Sequence, residues 1–151
     1  MKTIQWIDPL LLAYQVYKTG GDFSFLYSGL QFDYTGQYSI LAFEPIQAVS
    51  GDQFSLLSEH LVTSSPPFEE ALFGYFGYEM KHSVENHLKT SPSIIRTPAF
   101  YFQSYFHTIV FDHLAHTCQY YGPDSFIIES FSKLTEIPTF SPSINTIESN
   151  M

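Results

Sequence analysis

The histidines come first among the residues able to do chemistry. The chain has six, and a divalent metal needs three or four nitrogen, oxygen or sulfur donors converging on one point. The local clusters are His113-x-x-His116 and the group His82, Glu85 and His87. On a hairpin, residues three apart face opposite sides, so His113 and His116 share an ion only if the turn curls them together. In a helix His82 and Glu85 are neighbours, a spacing that ordinarily makes a solvated contact. Surface and turn histidines are therefore expected, with no metal ligand assigned. The run Gly74-Tyr75-Phe76-Gly77-Tyr78 lacks the Gly-Lys-Ser/Thr ending and third glycine of phosphate cradles. Glycines beside aromatics in a strand let another backbone approach closely, which is the expectation here. Ser28 and Ser83 have no nucleophile elbow around them, and the pair Glu69-Glu70 sits on a loop as solvated charge. Cys118, the single cysteine, lies in a strand-like run, so it reads as a buried inert thiol and rules out an internal disulfide. No catalytic residue emerges. What stands out instead is a polar loop, Gly29 to Gly36, between two apolar strand-like runs.

The elements that position this loop follow from local pattern. Asp8 as an N-cap acid, Pro9 in the first turn and Gly20-Gly21 as a stop predict a helix from Asp8 to Lys18. Phe23 to Ser28 and Gln37 to Phe43 are aromatic and β-branched runs bounded by turn residues, and read as two strands around the loop. Ile46 to Val49 is expected as a third strand beyond Pro45. A short amphipathic helix, Phe54 to Val62, presents Phe54, Leu57 and Leu61 on one face before the loop Ser64-Ser65-Pro66-Pro67. Ala71 to Tyr78 reads as a buried strand feeding a helical stretch after Glu79. Pro98 to Tyr121 alternates around Asp112-His113, which predicts a long antiparallel hairpin. Ser125 to Leu134 is expected as a last helix, and the Ser, Thr, Pro and Asn-rich tail from Pro138 as linker. This mixed order, with hairpins in place of regular strand-helix alternation, predicts an α+β fold of mainly antiparallel sheet with a few flanking helices.

Composition sets the outer bounds. A chain of 151 residues, 44% hydrophobic and 14% charged, is long enough for one core and short for two domains. One domain over residues 1–137 is expected, with 138–151 as linker or the start of a further part. The formal charge of -9 repels phosphate backbones and anionic headgroups, which argues against nucleic-acid and membrane-surface partners. The sequence has no long uninterrupted apolar run, and Met1 to Trp6 lacks the basic-then-apolar pattern of a secretion signal. A cytoplasmic location is the expectation.

Three stretches, in order, carry a family resemblance. "FLYSG" followed by "GQYSILAFEPIQAV" resembles the N-terminal region of component I of the chorismate-aminating enzymes, anthranilate synthase and para-aminobenzoate (aminodeoxychorismate) synthase. "ALFGYFGYEMKHSVENHL" resembles the family's Gly-x-x-Gly-Tyr-(Asp/Glu) segment with its following acidic residue, here Glu85. "AFYFQSYFHTIVFDHLAHT" resembles its hydrophobic strand ending in Asp-His. The likeness runs from about Asp22 to Tyr121. "EPIQAV" and the long loop after Ser28-Gly29 look more like the para-aminobenzoate branch, and Tyr27 stands where the anthranilate branch usually has Glu.

The resemblance implies a non-catalytic N-terminal domain. The full-length family enzyme binds chorismate and magnesium in its C-terminal half, where ammonia from a glutaminase amidotransferase subunit replaces a ring hydroxyl. Nothing in this chain resembles that half, so no cofactor is expected within it and the chorismate-binding half becomes its implied partner. The family's N-terminal pocket, which holds tryptophan, maps onto Leu26, Ser28, Gln37 and Tyr38. Gln37 and Tyr38 stand where the family has Arg and an aromatic, and Gln37 lacks the charge and fork geometry of Arg. The alternatives are an anthranilate synthase component I domain, a stand-alone module binding tryptophan or a similar amino acid, and a remnant with neither ligand nor partner. If the other half is missing, the fifteen Phe and eleven Tyr should include an exposed apolar patch of more than a few hundred Å².

Overall fold

A computed structural model describes residues 1–30, 35–60, 71–81, 85 and 97–123. Its described elements run β1 (Lys2–Ile4), α1 (Pro9–Thr19), β2 (Phe23–Leu26), β3 (Tyr38–Gly51), α2 (Phe54–Ser58), β4 (Leu72–Phe76), β5 (Phe100–Asp112) and β6 (Thr117–Tyr121), with a 3₁₀ turn at Tyr78–Met80. All the strand pairs are antiparallel. The fold is α+β, as the mixed order of elements predicts.

The first helix forms where its caps dictate. The Asp8 carboxylate accepts from the Leu10 and Leu11 amides at 2.9 and 3.0 Å, satisfying donors that have no partner within the helix. Gly20 closes the other end at φ 76°, its amide bonding to the Tyr17 carbonyl. That left-handed backbone suits glycine. Between the caps Leu12, Ala13 and Val16 lie along one buried stripe and meet Leu41, Phe43, Ile109 and Phe111 from the sheet in the largest core cluster.

β5 is the spine of the sheet. The hydrogen-bonded order is β1-β6-β5-β3-β2, and β4 pairs with the first half of β5. Phe100 to Ser104 thus face β4, while Thr108 to Asp112 face β6. β3 runs along the other side of β5 throughout, from Tyr38 opposite Asp112 to Gly51 opposite Phe100.

Four local expectations change. The separate strands over Gln37–Phe43 and Ile46–Val49 are one strand, because Pro45 is absorbed by a shift of register between Pro45 and Gln47. Glu44 supplies the bend with a φ of 58°, and a bulge of this kind tolerates the missing proline N–H. β2 stops at Leu26, two residues short of Ser28. β4 ends at Phe76 and gives way to the 3₁₀ turn, so Tyr78 is outside the strand. The second helix ends at Ser58 with Glu59 as its C-cap, shorter than the expected Phe54–Val62, and Leu61 and Val62 lie outside the described residues. So do the helix Ser125 to Leu134 and the tail from Pro138. β1 adds a strand of three residues, too short for the sequence to show a period.

The glycine–aromatic strand behaves as close packing requires. A Cβ on Gly74 would overlap the Tyr101 carbonyl oxygen and come within 2.7 Å of Phe102 Cα on β5. Gly77 donates its amide to the Ala99 carbonyl at 2.7 Å. Among the described residues no helix is long and apolar enough to cross a membrane.

Candidate functional site

The loop-flanking residues meet at one end of the β2–β3 pair. The Ser28 hydroxyl donates to the Tyr38 carbonyl at 2.6 Å, and the Ser28 amide donates to Ser39 Oγ at 3.0 Å. Ser39, fully buried, lies 2.8 Å from His113 Nε2. The His113 amide in turn donates to the Gln37 carbonyl at 2.9 Å. Gln37 donates its side-chain amide to Asp112 at 3.2 Å. Asp112 also caps the β5–β6 turn, accepting from the Leu114 and Ala115 amides at 3.0 and 2.9 Å. Hydrogen bonding to Ala115 foremost, with Gln37 and Leu114 adding to it, holds the Asp112 carboxyl below the usual aspartate range.

Of the four residues assigned to a pocket, Ser28, Gln37 and Tyr38 therefore come together, while Leu26 and Tyr38 stay 57% and 50% exposed. Ser28 bonds to Tyr38, and Gln37 bonds to Asp112 and His113. Gln37 contributes a neutral donor to Asp112 and no positive charge. Ser39 and His113 join the cluster although neither was singled out as a pocket residue. The hairpin signal places His113 in a turn, and it is the pairing of β3 with β5, Tyr38 opposite Asp112, that brings that turn beside Gln37. The Ser39–His113 pair has the composition of a nucleophilic dyad, yet a hydroxyl with no exposure that already accepts the Ser28 N–H has no path to a substrate. Its role is to latch the ends of β2 and β3 to the turn.

Trp6 seals this end. Its ring stacks on His116 at 4.1 Å and meets His113 edge-on at 5.6 Å. The two histidines share an indole, and no group of three or more His, Cys, Asp or Glu able to hold a metal occurs among the described residues. His82 and His87 lie outside them.

A second polar chain sits at the Glu44 bend. His107 is buried, with Nδ1 2.8 Å from the Tyr120 hydroxyl and Nε2 3.2 Å from the Glu44 carboxylate. The carboxylate can only accept, so Nε2 donates to Glu44 and Nδ1 of the neutral ring accepts from the Tyr120 hydroxyl, which also lies 3.1 Å from the Pro123 carbonyl. Burial pushes the His107 pKa down, against the pull of Glu44. Cys118 is fully buried and its thiol is pushed up by desolvation, so it is an inert core residue.

These features define an α+β domain with two closed polar networks. No protein-family model matches the chain, and no curated protein shows significant similarity to it.

Proposed function

We propose that this chain is the N-terminal, non-catalytic domain of a para-aminobenzoate synthase component I-like protein, serving chorismate amination as scaffold for a chorismate-binding half. The observation that carries the reading is that the three resembling stretches, far apart in sequence, form neighbouring strands. "FLYSG" and "GQYSILAFEPIQAV" contribute to β2 and β3, "ALFGYFGY" to β4, and the third stretch to β5 between them. Agreement between motif order and strand adjacency is what a shared architecture requires.

The aromatic side of β4 supports a docking role. Phe54 and Phe76, both substantially exposed, lie 5.7 Å apart on one face, Tyr75 is exposed on the opposite face beside Tyr101, and Tyr78 is exposed in the turn that follows. Exposed apolar groups gathered in this way mark contact surfaces. Lys81 lies 3.6 Å over the Tyr78 ring, which keeps one edge of the patch polar. In this reading the chain itself holds no magnesium. The metal and the glutaminase subunit belong with the partner half.

The tryptophan-type pocket is the finer part of the proposal, built on Leu26, Ser28, Gln37 and Tyr38. A ligand there has to take the Ser28 hydroxyl from the Tyr38 carbonyl, and it meets a carboxamide where a guanidinium would grip a carboxylate.

Mixing this chain with a separately produced chorismate-binding half, ammonia and magnesium tests the main reading. A rise in chorismate turnover over that half alone is expected, and an unchanged rate would count against it. Titration calorimetry with tryptophan addresses the pocket. Saturable heat from the chain alone favours the amino-acid-binding alternative, whereas heat that needs the partner half favours the pocket as part of the larger enzyme.

A further inference from the structure

A groove of about 580 Å³ opens between the end of α1, the start of β2 and the first half of β5, within the range usual for small-molecule sites. Its polar wall is a chain of three side chains. The Tyr101 and Tyr105 hydroxyls both donate to Gln103 Oε1, at 3.2 and 3.1 Å. With its proton so placed, the Tyr105 hydroxyl accepts from Ser24 Oγ at 2.8 Å.

This arrangement fixes which capacity is left over. Gln103 has spent its carbonyl oxygen on two donors, and its NH₂ group, which has no partner among the described residues, offers two N–H bonds. Ser24 and Tyr101 keep lone pairs. Asp22, at the rim, has no ion-pair partner among the described residues, and its carboxylate accepts only. Tyr17, 65% exposed, adds an aromatic face beside it. Burial pushes the Tyr105 phenol pKa up, with smaller upward contributions from Tyr101 and Asp22, so the Tyr105 hydroxyl stays protonated.

A ligand that satisfies every free group needs strong donors for Asp22 and an oxygen acceptor for the Gln103 amide. Anions are disfavoured by Asp22 and by a chain charge of -9. An ammonium group gains a charge-assisted bond to the carboxylate and attraction to the tyrosine rings. We propose that the Asp22–Ser24–Gln103–Tyr105 groove binds a small primary ammonium compound that also carries a hydroxyl or ether oxygen, as amino alcohols and amino sugars do. The site is independent of the chorismate reading and uses none of the residues of the Ser28 cluster.

The test is a titration of the ¹⁵N-labelled chain, followed by amide shifts, with glucosamine, glucose and butylamine as separate probes. Glucosamine should give saturable shifts centred on Gly21, Asp22, Ser24 and Gln103. Glucose, which lacks the charge, and butylamine, which lacks the oxygen, should each bind about tenfold more weakly. Asp22→Asn keeps the size of the side chain at an accessible position and should weaken glucosamine about tenfold while leaving glucose unchanged. Glucose binding as tightly as glucosamine would overturn the assignment. So would unaltered glucosamine binding by Asp22→Asn in a chain whose spectrum stays dispersed, or the absence of saturable shifts with glucosamine at millimolar concentration.

Discussion

The Ser28 end of the β2–β3 pair and the groove beside Tyr105 are built from the same kinds of side chain and differ in how they spend them. At the Ser28 end, hydroxyl, amide, carboxylate and imidazole groups bond to one another and to the backbone, with Trp6 packed across the histidines. In the groove, the Gln103 NH₂ group and the Asp22 carboxylate have no partner among the described residues. The lesson concerns where binding capacity resides. A cluster of polar residues tells little until its donors and acceptors are counted, because satisfied groups stabilise the fold and unsatisfied, reachable ones are available to a ligand.

Ser39→Ala should break the comparison most visibly. It orphans the Ser28 amide and His113 Nε2 at a fully buried position, which should cost about 3 kcal/mol in urea unfolding. A loss no larger than that of an exposed serine would mean the latch is not holding the strand ends. In the groove, Tyr105→Phe removes the hydroxyl that joins Ser24 to Gln103, and a loss of about 1 kcal/mol is expected there. Ser28→Ala, which removes one exposed bond to the Tyr38 carbonyl, should cost about 0.5 kcal/mol.

Acidification sharpens the comparison further. The His107 pKa is lowered in the folded chain, so the unfolded chain takes up the proton first. The stability it contributes is complete above the unfolded value of about 6.5 and is lost as pH falls through the lower folded value. His107→Gln should flatten that part of a stability–pH curve. Asp112, also lowered, extends the decline to more acid pH, as its carboxylate loses the capping bonds of the turn. Asp112→Asn should remove this later part of the slope while keeping a side-chain acceptor for Leu114 and Ala115, and an unchanged acid limb would show that the turn does not depend on the charge.

Much of the fold was legible because its signals are local. Asp8, Pro9 and Gly20 mark the bounds of α1, and the alternation from Pro98 to Tyr121 marks the β5–β6 hairpin. The continuity of β3 was not legible. Proline ordinarily interrupts a strand, and it is the left-handed backbone of Glu44, invisible in a residue name, that lets the ladder resume at Gln47. The candidate pocket was legible as a neighbourhood, since a loop between paired strands brings Ser28 near Tyr38. Its chemistry was not, because Ser39 and His113 approach through pairing of β3 with β5. The groove was wholly hidden for the same reason. Ser24 and Tyr105 are 81 positions apart, and no spacing in the sequence ties one to the other.

The pairing of β1 with β6 carries a consequence for the order of events during synthesis. Lys2 lies opposite Tyr120 and Ile4 opposite Cys118, so β1, made before the other described strands, is among the last of them to find its neighbour. Until β6 emerges, the backbone donors and acceptors of β1 have only water for company, and Trp6 waits for the imidazole rings that will cover it. Closing so long a loop is a slow step with a considerable entropic cost. A ribosome pausing before Thr117 would therefore hold a nascent chain whose sheet has a spine but no completed margin.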